Sequence, residues 1–274
     1  MKTFKEKYYN FAVSDFDGTL FRSDASVSDF TLKAIKNFTK HGGTFCICTG
    51  RMTNSIMQYC KQYDLDGYVI SYNGAEIVEI KTGKVVYKNH VDTVACAKIL
   101  KYAELNNLTV QVYPDNIIMV NQANEMVKSY SNIVKAPIKE CNCMVSEIFE
   151  KQKLTSAKVL FYTNDQTADK TITELKQILG NNYNVIRSNA YHIDITQSSV
   201  SKGKSILKLA EILGKEQDKI ICFGDERNDI SMLKVAGLGV ACANANSLLK
   251  EVADLITDSC DEDGVAKALI KYGV

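Results

Sequence analysis

Short apolar runs alternate with longer amphipathic stretches through the first 70 residues, the rhythm of βαβ units feeding a parallel sheet. Phe11-Ala12-Val13-Ser14 reads as a buried strand, and Thr44-Phe45-Cys46-Ile47-Cys48 and Tyr68-Val69-Ile70-Ser71 repeat the pattern. Between the first two, Leu32, Ile35 and Phe38 share a helical face, predicting a helix over 29–40 with Ser28 as N-cap and Gly42-Gly43 as its stop. A second helix runs to about Tyr63. Beyond Ser71 the rhythm changes: residues 75–80 and 85–87 flank Lys81-Thr82-Gly83-Lys84, a hairpin signal.

From about residue 88 to 190, helices over 92–106, 122–131 and 167–179 alternate with strand pairs, 108–113 with 117–121 and 158–162 with 183–187. Strands joined by short turns predict a compact α+β insertion on an antiparallel sheet. After Ser201 the βα rhythm returns, with a helix over 202–213, strands over 219–223, 238–241 and 254–257, helices over 228–235 and 247–252, and a closing helix from Asp263. The expected fold is therefore α/β: a doubly wound, mostly parallel sheet core formed by residues 1–86 and 191–274, carrying an inserted α+β cap over residues 87–190.

Thirty-three Lys and Arg balance thirty-two Asp and Glu, leaving +1. With no broad field to attract nucleic acid or anionic lipid, any phosphate must be held by a local constellation. The segment Met1-Lys2-Thr3-Phe4-Lys5-Glu6-Lys7 is followed by too short an apolar run for a signal peptide, and no window approaches a membrane span. A soluble, cytoplasmic protein is expected, without nucleic-acid or membrane partners. Nine cysteines then read as reduced thiols, small buried side chains rather than a zinc site.

In open α/β sheets ligands bind beyond the carboxyl ends of the strands, so polar residues directly after apolar strands matter most. Asp15-Phe16-Asp17-Gly18-Thr19-Leu20 follows the first strand and Thr49-Gly50-Arg51 the second; Ser201-Lys202-Gly203 opens a helix, and Gly224-Asp225-Glu226-Arg227-Asn228-Asp229 follows the strand ending at Phe223. Two carboxylates at i and i+2 before a turn-permitting Gly can divide two tasks at one strand end, although Asp-Gly is also an ordinary turn. Thr49 could be a helix cap, and Asn228 with Asp229 the cap of the next helix. Lys202 sits at a helix start, where the macrodipole disfavours a cation, which argues for function. His41, His90 and His192 have no metal spacing, and Arg227 reads as surface.

Together these four clusters resemble the motifs of the haloacid dehalogenase superfamily, specifically its Cof-type phosphatases with an α/β cap, with accessory matches at Ser71-Tyr72-Asn73-Gly74-Ala75, Ile193-Asp194-Ile195 and Ala243-Asn244-Ala245. Departures lie at Thr196-Gln197-Ser198-Ser199-Val200 and at Ala243, none at a charged catalytic position. The resemblance implies that Asp15 is the nucleophile, forming an aspartyl-phosphate, and that Asp17 is the general acid and then base, with Thr49 and Lys202 completing the catalytic set. It implies substrate contacts from Gly18, Thr49, Gly50, Arg51, Asn73, Lys202 and Asn228. It implies Mg2+ on an Asp15 oxygen, the Asp17 backbone carbonyl and Asp225, with Asp229 supporting.

Asp15, Asp17, Asp225 and a phosphate dianion carry five negative charges, a cluster that cannot assemble without cations. The expected activity is hydrolysis of a small phosphorylated metabolite, a sugar phosphate or similar, under a lid that excludes water. A sugar phosphomutase using the same aspartates and a non-catalytic phosphometabolite sensor are the alternatives.

Overall fold

The computed structural model describes residues 6–274. The start of the charged opening segment, residues 1–5, lies outside the described residues. Two compact units divide the chain: residues up to 87 together with 201–274, and residues 88–200.

The first unit is built on strands β1 (Phe11–Ser14), β2 (Thr44–Cys48), β3 (Tyr68–Ser71), β4 (Glu76–Glu79) and β5 (Val85–Lys88), separated early on by helices α1 (Asp29–Lys40) and α2 (Thr53–Gln62). The second unit follows with α3 (Thr93–Leu105), β6 (Val110–Val112), β7 (Ile118–Val120), α4 (Glu125–Val134), β8 (Ile138–Glu140), α5 (Val145–Gln152), β9 (Val159–Tyr162), α6 (Ala168–Leu179), β10 (Tyr183–Asn189) and β11 (His192–Gln197). The chain then completes the first unit with α7 (Lys202–Leu213), β12 (Ile220–Gly224), α8 (Ile230–Val235), β13 (Leu238–Ala241), α9 (Ser247–Val252), β14 (Leu255–Ile256) and α10 (Gly264–Tyr272).

Strand order in the first sheet is β14-β13-β12-β1-β2-β3-β4-β5. It is parallel from β14 through β3, and β4 turns antiparallel on β3. The central strands β1, β2 and β12 are buried on both faces: Ala12, Phe45 and Ile47 enter one apolar layer with Phe38 and Leu269, while Phe11, Val13, Cys46 and Cys48 enter the other with Ile206 and Leu209. Period-two alternation thus sends successive residues of one strand into two different cores. From β1 the chain proceeds to β2 on one side, whereas β12 docks on the other, so the strand order reverses between β1 and β12. Their carboxyl ends are the crevice where this sheet class takes ligands.

In the second unit the strand order is β10-β11-β9-β6-β7-β8. Val159 and Phe161 of β9, Val112 of β6 and Ile193 and Ile195 of β11 pack with Ile99 of α3, Phe149 of α5 and Leu175 of α6. Three expectations are corrected here. The strand over 192–197 belongs to this sheet, paired on both sides by β10 and β9, so the chain leaves the insertion at about 200 instead of 190. The segments 158–162 and 183–187 accordingly do not pair directly, since β11 lies between them. Both β8 and α5 went unpredicted: β8 has three residues with two of them exposed, too short for periodicity to register.

All nine cysteines are free thiols, and Cys143 is exposed, contrary to the reading of these residues as buried. Among the described residues no helix is long and apolar enough to cross a membrane.

Candidate active site

Asp15 is the first residue beyond β1, and Asp225 the first beyond β12. Parallel pairing sets Ser14 opposite Phe223, and the Asp15 N–H donates to the Phe223 carbonyl at 2.9 Å. Two acids 210 positions apart are thereby delivered to neighbouring strand ends by sheet register alone. Asp15, Asp225 and Asp229 each place a carboxylate oxygen within 4.8 Å of the others.

Lys202 is the first residue of α7, behind the N-cap Ser201, whose side chain accepts from the Lys204 N–H. Its ammonium, with the residue 1% exposed, donates to Asp15 Oδ1 at 2.5 Å and to Asp229 Oδ1 at 2.6 Å. The position that the macrodipole disfavours is offset by two carboxylates. The other oxygen of Asp229 accepts the N–H groups of Asp225 and Glu226, both at 3.0 Å. Asp229 thus gives one oxygen to Lys202 and the other to the backbone N–H groups of the turn before α8. Gly203, next to Lys202, lets α7 approach α8: a Cβ there would lie 2.2 Å from the Ser231 carbonyl oxygen.

Burial drives the Asp15 carboxyl well above the usual carboxylate range; Lys202 opposes the rise, while Asp229 and Asp225 add to it. Burial also raises Asp225, to about 6, with the Thr19 hydrogen bond opposing and Asp229 and Glu226 adding. Burial works against the Lys202 charge, but the attraction of Asp15 and Asp229 outweighs it and holds the ammonium above its ordinary value. Three carboxylates thus share one cation, an excess of buried negative charge built wholly from hard oxygen donors, and that composition fits Mg2+. Asp229 already accepts three hydrogen bonds, one on Oδ1 and two on Oδ2, so Asp15 and Asp225 are the less committed members of the group that could hold an ion.

The Asp17 side chain lies outside this acidic cluster. It is half exposed, and both of its oxygens accept from Arg51, Oδ2 from Nε at 2.8 Å and Oδ1 from Nη2 at 2.6 Å. Gly18 holds a left-handed φ of 73°, and a Cβ at that position would stand 2.5 Å from Asp225 Oδ2. Thr49, 1% exposed, accepts the Arg51 N–H at 3.1 Å on its hydroxyl oxygen, leaving the hydroxyl proton to donate. It caps no helix, because Met52 stands at the N-cap of α2. Asn73, with φ 57°, gives its N–H to the Thr49 carbonyl at 2.9 Å and takes the Asn228 amide on its side-chain oxygen at 3.1 Å. Gly50 leaves the room the Asn73 side chain occupies, since a Cβ there would meet Asn73 Oδ1 at 3.2 Å. Arg227 is exposed.

Thr19, Asn244 and an aromatic group around Arg51 are functional features that sequence reasoning left without a role. Thr19 donates to Asp225 Oδ1 at 2.7 Å, and Asn244 donates to the Gly18 carbonyl at 2.8 Å. Each joins positions more than 200 residues apart, so the motifs that contain them carried no sign of these partners.

The sequence matches the family model of haloacid dehalogenase-like hydrolases over residues 12–269. It is similar to the Bacillus subtilis 5-amino-6-(5-phospho-D-ribitylamino)uracil phosphatase YitU, 27% identical over 94% of this chain and 95% of that protein. It is also similar to the chloroplastic endoribonuclease YBEY of Arabidopsis thaliana, 28% identical over 99% of this chain, which spans only 48% of that longer protein. A solved haloacid dehalogenase-like hydrolase from Bacteroides thetaiotaomicron superposes with a TM-score of 0.84 at 29% identity, covering 95% of this chain and 98% of that one. With motif residues gathered at the carboxyl ends of the central strands and the family match running over residues 12–269, the chain belongs to the haloacid dehalogenase-like hydrolases.

Proposed function

We propose that the chain is a Mg2+-dependent phosphatase that hydrolyses small phosphorylated metabolites through an aspartyl-phosphate. The observation that carries this reading is the buried Lys202 ammonium between Asp15 and Asp229, with Asp225 within the same 4.8 Å group. An Asp15 oxygen attacks phosphorus, the bond from phosphorus to the leaving oxygen breaks, and the Asp17 carboxyl proton passes to that oxygen. Asp17, now a carboxylate, takes a proton from water as the water oxygen attacks phosphorus, and the electron pair of the breaking bond returns to Asp15.

Thr49 offers its free hydroxyl proton to a phosphoryl oxygen, and Lys202 offsets charge that two carboxylates and a phosphate would otherwise leave uncompensated. Bound between Asp15 and Asp225, Mg2+ would supply the remaining positive charge and polarise the phosphoryl group. Residues 88–200 enter the proposal as the part that would select the leaving group. The name of the similar YitU phosphatase supports a small phosphorylated metabolite as the substrate class.

The test is phosphate release from a panel of phosphorylated metabolites with and without Mg2+, together with acid-quench trapping of labelled phosphate on the protein. Release that needs Mg2+ and a trapped label that both vanish in Asp15→Asn support the reading. Binding without release would favour a sensor, and isomerised sugar phosphate in place of free phosphate would favour a mutase.

A further inference from the structure

Arg51 reaches across from the end of β2 to the loop after β1, and its geometry is that of a fixed part. Its guanidinium carbon lies 5.1 Å from the Phe16 ring centroid, 5.8 Å from that of Phe21 and 4.8 Å from that of Tyr59. Phe16 and Phe21 are themselves stacked at 4.7 Å and buried. Its backbone is pinned as well, the N–H on Thr49 Oγ1 and the carbonyl on the Tyr72 N–H at 3.0 Å. A cation ringed by three aromatic faces resists displacement, and the planar fork meets both oxygens of one carboxylate. Phe16 precedes Asp17, and Phe21 pairs with Asp17 along the backbone. Two of the three rings that grip Arg51 therefore share one loop with the carboxylate it grips, and the third, Tyr59, comes from α2.

From this we propose that Arg51 is the positioning residue of Asp17, fixing where the proton-transferring carboxyl stands, and does not serve as a ligand of the substrate phosphate. The proposal rests on the reading of Asp17 as general acid. Loss of Arg51 should then hurt in proportion to how much help the leaving group needs. An alkoxide must be protonated as it departs, whereas p-nitrophenolate leaves unaided, and kcat/KM reports only the steps through that departure.

The experiment compares kcat/KM for glycerol 2-phosphate and p-nitrophenyl phosphate in Arg51→Met, Arg51→Lys and Asp17→Asn, with inhibition by inorganic phosphate measured alongside. Expected for Arg51→Met is a loss of about tenfold or more on the alkyl ester beyond any loss on the aryl ester, with phosphate inhibition within about threefold of wild type. Arg51→Lys, which keeps charge without the fork, should show the same selective pattern, and it serves where the Met variant fails to fold. Equal losses on both esters with weakened phosphate inhibition would make Arg51 a phosphate ligand and overturn the proposal, as would an Arg51→Lys enzyme unchanged on both. If Asp17→Asn itself shows no preference between the esters, the general-acid reading fails independently of Arg51.

Discussion

Asp229 divides its two oxygens between Lys202 and the backbone: its Oδ1 takes the ammonium at 2.6 Å while its Oδ2 is tied down by two backbone N–H groups. The lysine is thereby aimed at Asp15 by a carboxylate that cannot itself turn away. Lys202→Met leaves Asp229, fully buried, facing apolar atoms, and removes the ammonium that pairs with Asp15. Breaking such a buried pair costs about 3–5 kcal/mol. Urea unfolding in Mg2+-free buffer should register that loss, and phosphate release should fall to near background. A variant of wild-type stability would mean that the buried charges find other partners.

Gly18 and Gly83 separate backbone strain from crowding of the acidic cluster. Their φ angles are alike, 73° and 69°, but a Cβ at Gly18 meets Asp225 Oδ2 at 2.5 Å while one at Gly83 meets nothing within 4 Å. Both alanine variants pay the left-handed penalty of about 1–3 kcal/mol. Only Gly18→Ala should also raise the Mg2+ concentration needed for half-maximal phosphate release. Gly83→Ala should lose stability alone, so a matching shift in Mg2+ requirement for both variants would contradict the assignment of Asp225 to the ion.

Much of this was legible along the chain because the core obeys one rule: apolar strand, polar strand end, amphipathic helix. Asp15, Thr49 and Asp225 could be singled out since each directly follows a run such as Ile220-Ile221-Cys222-Phe223, whose burial is forced by its composition. Illegible were relationships that depend on side-chain direction. Asp17 was read as general acid and base, with its backbone carbonyl on the ion, and Arg51 as a substrate contact, and nothing in their spacing said that they face each other. Residues 192–197 were placed in the wrong unit because they were read only as the approach to Lys202, whereas a tight turn at residues 190–191 pairs them with β10.

The raised Asp15 and Asp225 carboxyls make the Mg2+-free protein sensitive to alkali. A carboxyl whose folded value exceeds its unfolded one contributes stability that is present below the unfolded value and lost as pH climbs through the folded value. Unfolded carboxyls titrate near about pH 4. Stability should therefore decline from there through about 6, where Asp225 titrates, and onward into the higher range of Asp15. Asp92 and Asp263 are lowered and act in the opposite sense, losing stability as pH falls. The difference in Tm with and without Mg2+ isolates the site from them. That difference should widen with pH over the stated window, because the ion takes the ionised pair; a constant difference would sink the idea that these two carboxyls hold it.

Thr19→Val tests the support of the ion site without changing its charge or volume. The hydroxyl donates to Asp225 Oδ1 at 2.7 Å from a residue 2% exposed, and Asn244 braces the neighbouring Gly18 carbonyl. Valine keeps the shape and removes the donor, leaving one oxygen of a mostly buried carboxylate without its partner. A hydrogen bond to a charged group is worth about 1.5–3 kcal/mol, equivalent to roughly 10- to 150-fold in an equilibrium constant. Two effects then compete for sign. Losing the donor makes Asp225 more electron-rich toward Mg2+, yet it also frees the carboxylate to rotate away from Asp15. Because the 4.8 Å grouping of Asp15, Asp225 and Asp229 depends on where that carboxylate points, the rotational loss should dominate. Half-saturation by Mg2+ should rise about tenfold while kcat at saturating Mg2+ stays within about threefold of wild type. A Thr19→Val enzyme that binds Mg2+ more tightly would reverse that ordering of effects.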